Sequence, residues 1–183
     1  MSRYQIALGA TIALSASIFS ATSAQAVRLG DGKIHFVRPP QLLRTIATHK
    51  TAGFWSSSYY FTLSLPQNAG EPLQTVVISQ QAGVDQPRLN LSNSEAFEGD
   101  NINRPGAKLP IQKVAVDRET QAITVTFDPP VSPGKVITIG LLPIRNPSAG
   151  GVYLYGVTAF PAGEPANGSF LGFGRITIYS DDF

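Results

Sequence analysis

Apolar residues recur at every second position in short runs, and proline and glycine keep cutting those runs apart. In YYFTLSL, Tyr59, Phe61, Leu63 and Leu65 share one face, while Tyr60, Thr62 and Ser64 share the other. A period of two belongs to a strand buried on one side. AITVTFD repeats it, with Ile123, Val125 and Phe127 inward and Thr124, Thr126 and Asp128 outward. KVAVD sets Val114 and Val116 together, and RITIYS sets Ile176 and Ile178 against Thr177 and Tyr179. KVITIGLL and GVYLYGVTAF are apolar on both faces, as central strands are. KIHFV and LQTVVISQ complete the expected set.

The junctions PQNAGEP, NRPGAKLP, DPPVSPGK, RNPSAGG and PAGEPANG forbid a helix running through them, because proline lacks the N–H donor and clashes with the preceding turn. In RNPSAGG, Asn146 is expected to bond backbone within its turn, with Pro147 fixing φ. VDRETQAITV joins two alternating runs and predicts a hairpin. Only LNLSNSEAFEG has room for a helical turn. Seven to nine strands without strand–helix alternation predict an all-β fold, an immunoglobulin-like β-sandwich, with a closed barrel as the alternative.

The first 26 residues follow different rules. Arg3 precedes an uncharged apolar stretch at residues 6–19, and AQA at residues 24–26 places small side chains at the −3 and −1 positions of a cleavage site. This is the pattern of a cleavable secretory signal peptide, and the stretch is short against the ~20 residues of a membrane span. The expected organisation is a signal peptide at residues 1–26 and one β-sandwich domain at residues 27–183. A retained anchor is the alternative. The chain has no cysteine. Disulfides, thiolate metal sites and cysteine nucleophiles are therefore excluded, and an exported domain of this kind must rest on its core alone. With Arg3 set aside, 13 basic residues face 12 acidic ones, and no basic cluster points to nucleic acid.

IHFVRPPQL, YYFTLSLPQNAGEPLQTVVISQQAG, AFEG, ITVTFDPPVSPGKVITIGLLPIRNPSAGGVYLYGVTAFPAGE and FLGFGRITIY, in that order, resemble a family of exported cyanobacterial proteins known as domain of unknown function 2808. The resemblance runs from about residue 30 to residue 179. It implies an envelope or periplasmic location in a photosynthetic bacterium, and it brings no established activity and no catalytic residues.

Read for chemistry, the residues offer little. A serine hydrolase needs a histidine base and an orienting carboxylate. Only His35 and His49 exist, and NGSFLG does not have the spacing of a nucleophile elbow. Two separated histidines do not suit zinc or copper. A calcium ion would draw on Glu95, Glu98 and Asp100, with Asn101 and Asn103, but the spacing misses the EF-hand register and a solvated acidic loop is the plainer account. A carboxylate-based glycosidase would need two acids across a cleft, and no spacing singles out a pair. GFGR precedes a strand and not a helix, so Gly172 and Gly174 are read as a bend or bulge that lets Phe173 pack. No catalytic residue and no cofactor are assigned.

Aromatic side chains remain. GFWSSSYY places Trp55 in a serine-rich lead-in to a strand and Tyr60 on that strand's outward face. GVYLYGV puts Tyr153 and Tyr155 on one face, outward if Val152 and Leu154 point in. Exposed aromatics combine apolar area with a polar tip and suit recognition. The expected function is that of an exported, non-catalytic envelope or periplasmic module that binds a protein or glycan through Trp55, Tyr60, Tyr153 and Tyr155. A carboxylate-using envelope hydrolase and a calcium-stabilised adhesion module are the alternatives. No nucleic-acid partner and no membrane span in the mature chain are expected.

Overall fold

The computed structural model describes residues 32–180, so the expected signal peptide at residues 1–26 lies outside the described residues. Nine strands are found among them: β1 (Gln41–Ala47), β2 (Tyr59–Ser64), β3 (Leu73–Ala82), β4 (Glu95–Glu98), β5 (Ile111–Val116), β6 (Ile123–Val131), β7 (Val136–Leu141), β8 (Gly151–Pro161) and β9 (Ser169–Ile178). They form two antiparallel sheets, ordered β1-β2-β7-β4 and β5-β6-β3-β8-β9. The all-β sandwich expected from the alternation is the observed architecture. No helix among the described residues is long and apolar enough to cross a membrane.

The inward residues named from the sequence fill the space between the sheets. Phe61, Leu63, Val125 and Phe127 are fully buried, beside Leu73, Val76, Ile78, Ile137 and Ile139. Each such side chain contributes about 1.5–3 kcal/mol of burial, enough for a cysteine-free domain of this length to stand without covalent staples. One side of the sandwich is closed where β1 meets β9, and Gly174 is required there. A side chain on it would collide with the Thr45 hydroxyl and come within 3.2 Å of the Phe61 ring.

Several local expectations are corrected. KIHFV is not a strand. Ile34 and Phe36 are buried as the alternation says, but Ile34 makes only an isolated bridge to Ala166, and the segment hangs on Pro165, Ala69 and Asn167 through loop hydrogen bonds. His35, half-buried between them, accepts from Asn167 Nδ2 at 3.2 Å. β1 carries no clean alternation, because a bulge between Leu42 and Arg44 breaks its register. β6 runs on through Pro129 and Pro130 to Val131, where a turn was expected. LNLSNSEAFEG splits into a 3₁₀ turn at Leu91–Asn93 and strand β4. The bulge expected near GFGR exists: the β8–β9 register shifts there, and Gly172 has φ 115°. Phe173 does not pack inward, however. It is 58% exposed and lies edge-on to Phe170 at 5.1 Å.

The hairpin over VDRETQAITV is present as β5–β6. Asp117 closes it by accepting from the amides of Glu119 and Thr120 and from the Thr120 hydroxyl. The Thr120 bonds, and then that of Glu119, hold its carboxyl below the ordinary value.

Candidate functional site at the loop end

Four connections meet at one end of the sandwich: β1–β2, β3–β4, β5–β6 and β7–β8. Three of them are laced together by backbone. Trp55 bridges Arg145 in antiparallel fashion, and Asn146 N–H donates to Phe54 O at 2.8 Å. On the other side of the same segment, Ile144 N–H donates to Arg88 O at 2.7 Å, and Leu89 bridges Pro143. Residues 54–55, 144–146 and 88–89 thus lie side by side as a small platform.

Asn146 is the pin beneath it, 2% exposed. Its Nδ2 donates to His49 O at 3.0 Å and to Thr51 O at 2.9 Å, and its Oδ1 accepts from the Tyr59 hydroxyl at 3.0 Å. The asparagine was expected to serve its own turn. It serves the β1–β2 connection instead, tying a loop nearly a hundred residues away to the core tyrosine. Above it, the His49 ring stacks on Phe54 at 4.2 Å.

Asp85 organises the second half of the site. Its Oδ2 accepts from Ser148 N–H at 2.8 Å and Ser148 Oγ at 2.7 Å, and its Oδ1 accepts from the Tyr153 hydroxyl at 2.9 Å. Burial works to raise its pKa, but the Ser148 and Tyr153 hydrogen bonds, with Arg145 nearby, hold it below the ordinary value. The Tyr153 phenol is pushed up to about 12, by burial first and then by the Asp85 carboxylate. A carboxyl depressed in the folded state stabilises above its unfolded pKa, and that contribution is lost as pH falls through the folded pKa. Stability should therefore drop as pH falls below about 4, and Asp85→Asn should flatten that drop. Thermal midpoints of both proteins across acid pH check this; parallel curves would mean that Asp85 adds no acid sensitivity.

The residues singled out in the sequence fare differently. Trp55 is 62% exposed, with the Arg145 guanidinium 5.6 Å from its ring centroid. Tyr60 lies on the outer face of β2, half-buried, with its hydroxyl on Glu95 at 3.2 Å and its ring edge-on to Phe97. Tyr153 and Tyr155 are placed opposite to expectation. Both point inward and are buried, while Val152 faces solvent. Their strand is apolar on both faces, and the choice is made largely by partners remote in sequence: Asp85, beside the nearby Ala149 carbonyl, for the Tyr153 hydroxyl, and the Tyr59 and Phe61 rings for Tyr155. The carboxylates considered for calcium are not brought together either. Glu95 is taken by Tyr60 and Glu98 is ion-paired with Lys135. No group of three or more His, Asp or Glu able to hold a metal ion occurs among the described residues.

Two recesses flank the strap formed by residues 86–88. One, about 520 Å³, runs between the sheets, with Phe61, Ile123, Leu141 and Tyr155 in its floor and Leu89 and Ile144 nearer the surface. The other, about 420 Å³, is lined by Trp55, Asp85, Arg88, Arg145 and Ser148. Sequence reasoning missed Asp85, Arg88 and the distant partners of Asn146. Their local motifs are ordinary, and only the folded connections give them a common place.

Residues 33–178 match the profile of a family described as "Protein of unknown function (DUF2808)". No curated protein matches the chain in sequence. Among solved structures, the chain is similar to BslA, a bacterial hydrophobin, at 13% identity and a TM-score of 0.42, covering 78% of this chain and 99% of that one. It is also similar to the collagen-binding domain of a Staphylococcus aureus adhesin, at 13% identity and TM-score 0.38, covering 68% and 88%. The C-terminal domain of the Streptococcus pyogenes antigen I/II-family protein AspA matches at 14% identity and TM-score 0.46, over 75% of this chain and 46% of that one.

Proposed function

We propose a function for a chain that belongs to the DUF2808 family of proteins of unknown function: it is an exported, non-catalytic module of the envelope or periplasm that binds a protein or glycan partner through its loop end. One observation carries this reading. A tryptophan 62% exposed sits on a platform fixed by a buried asparagine, where ordinary folding would leave a polar turn. Trp and Arg side by side on a rigid base make the kind of anchor that dominates binding surfaces. The leader pattern at residues 1–26 supports export.

The acidic groups at hand argue for binding over hydrolysis. A general acid needs a raised pKa, whereas Asp85 is held low and both its oxygens are engaged. Glu95 and Glu98 are committed to Tyr60 and Lys135.

Trp55 is the only tryptophan in the chain, so its fluorescence reports on the loop end alone. Titration with solubilised envelope fractions should shift its emission saturably. A saturable association detected by another method, with Trp55 emission unchanged, would place the binding face elsewhere.

A further inference from the structure

We infer that the recess beside Trp55 takes an acidic sugar, with the sugar ring on the indole and its carboxylate held by Arg145 and Arg88. The inference rests on reading the loop end as the binding face and adds the chemistry of its ligand.

The row of side chains follows from the backbone. Residue 145 is bridged to Trp55 on one side, and its neighbour Ile144 is bonded to Arg88 on the other. The three residues line one recess of about 420 Å³, within the range of sites for small ligands and far short of a groove for an extended chain. Both guanidinium groups are donors only, so the ligand must supply acceptors. A planar carboxylate matches the guanidinium fork in two parallel hydrogen bonds. Arg88 and Arg145 are exposed, and no side-chain hydrogen bond or ion pair engages either guanidinium among the described residues. Asp85 shares the recess and offsets part of the Arg145 charge, but its oxygens are turned to Ser148 and Tyr153 and pair with neither guanidinium, so two cations face one acid. The Arg145 guanidinium lies over one face of the Trp55 ring, and the indole, still largely exposed, offers its other face as a flat apolar surface to the C–H face of a pyranose. A flat apolar ring bearing one carboxylate is what this row recognises. An acidic peptide supplies the charge without the rigid ring.

Calorimetry on the purified chain tests this with trigalacturonate and trimannuronate, the neutral galactose trisaccharide of the first, and hexaglutamate. At least one acidic trisaccharide should bind about tenfold tighter than the neutral one, with affinity falling as salt is added. Arg145→Lys and Arg88→Ala should each cost about five- to tenfold on the acidic sugar and nothing on the neutral one. Trp55→Ala should weaken both sugars, and unchanged melting temperatures would show that all three variants are folded. Equal affinity for acidic and neutral sugars, no effect of the arginine variants, or tighter binding of hexaglutamate would overturn the inference. So would failure of both acidic sugars. If Trp55-dependent retention on envelope fractions survives such a failure, the loop end is still the binding face and only its ligand class is wrong; if that retention is absent too, both readings fall.

Discussion

Asn146→Ala is expected to lower stability by about 2–4 kcal/mol, although the residue is polar and lies in a loop. The alanine would strand the Tyr59 hydroxyl and remove one of two hydrogen bonds at each of two carbonyls, since His49 O still accepts from Ser57 Oγ and Thr51 O from Phe54 N–H. Leaving the buried hydroxyl unpaired costs about 1–3 kcal/mol and each lost carbonyl bond about 0.5–1.5 kcal/mol, and because the three share a site their losses do not simply add. Asn146→Asp separates hydrogen bonding from packing. It keeps the shape and the acceptor for Tyr59, but turns an oxygen toward two carbonyls, so it should be no milder than alanine. Urea unfolding gives both numbers. A loss below about 1 kcal/mol for either variant would mean that the backbone bonds Asn146 N–H to Phe54 O and Gly53 N–H to Pro147 O suffice to hold the loops. Either variant should also weaken binding at Trp55, since the platform beneath the indole would loosen.

Phe61→Ala should cost a similar amount, about 3–5 kcal/mol, by a different mechanism. Phe61 is fully buried near the middle of the sandwich, edge-on to Tyr155 at 5.8 Å and against the β1–β9 seam at Gly174. Strands on both sides of it are fixed by their ladders, so the space cannot close and the loss includes the cavity. Without a disulfide to limit the unfolded chain, such a loss is a large share of the total stability. Trp55→Ala, by contrast, should change stability by no more than about 0.5 kcal/mol. That contrast matters, because the two aromatics are only six residues apart.

The inward faces of β2 and β6 were legible because their alternation is clean: one face apolar, the other bearing Thr, Ser or Asp. Where both faces are apolar, alternation fixes the strand but not its orientation. GVYLYGV shows this, since Val152 and Leu154 compete with Tyr153 and Tyr155 for the core, and the tyrosines win through Asp85 and the aromatic cluster. KIHFV shows the converse limit. Its burial pattern holds, yet its backbone makes only an isolated bridge and loop hydrogen bonds. β1 was not legible at all, because its bulge destroys the period that would reveal it. Of the site, Trp55 could be picked out by its polar surroundings. Asn146, Asp85 and Arg88 could not, because their roles depend on contacts between segments far apart in the chain, which no local spacing encodes.

Co-sedimentation of residues 27–183 with isolated envelope and cell-wall fractions tests most directly whether the loop end is a binding face. The comparison is between Trp55→Ala and Phe173→Ala, two exposed aromatics on different parts of the surface, 62% and 58% exposed. Saturable retention that Trp55→Ala loses and Phe173→Ala keeps is the predicted result. Retention lost equally by both variants, or kept in full by Trp55→Ala, would contradict a binding face at the loop end.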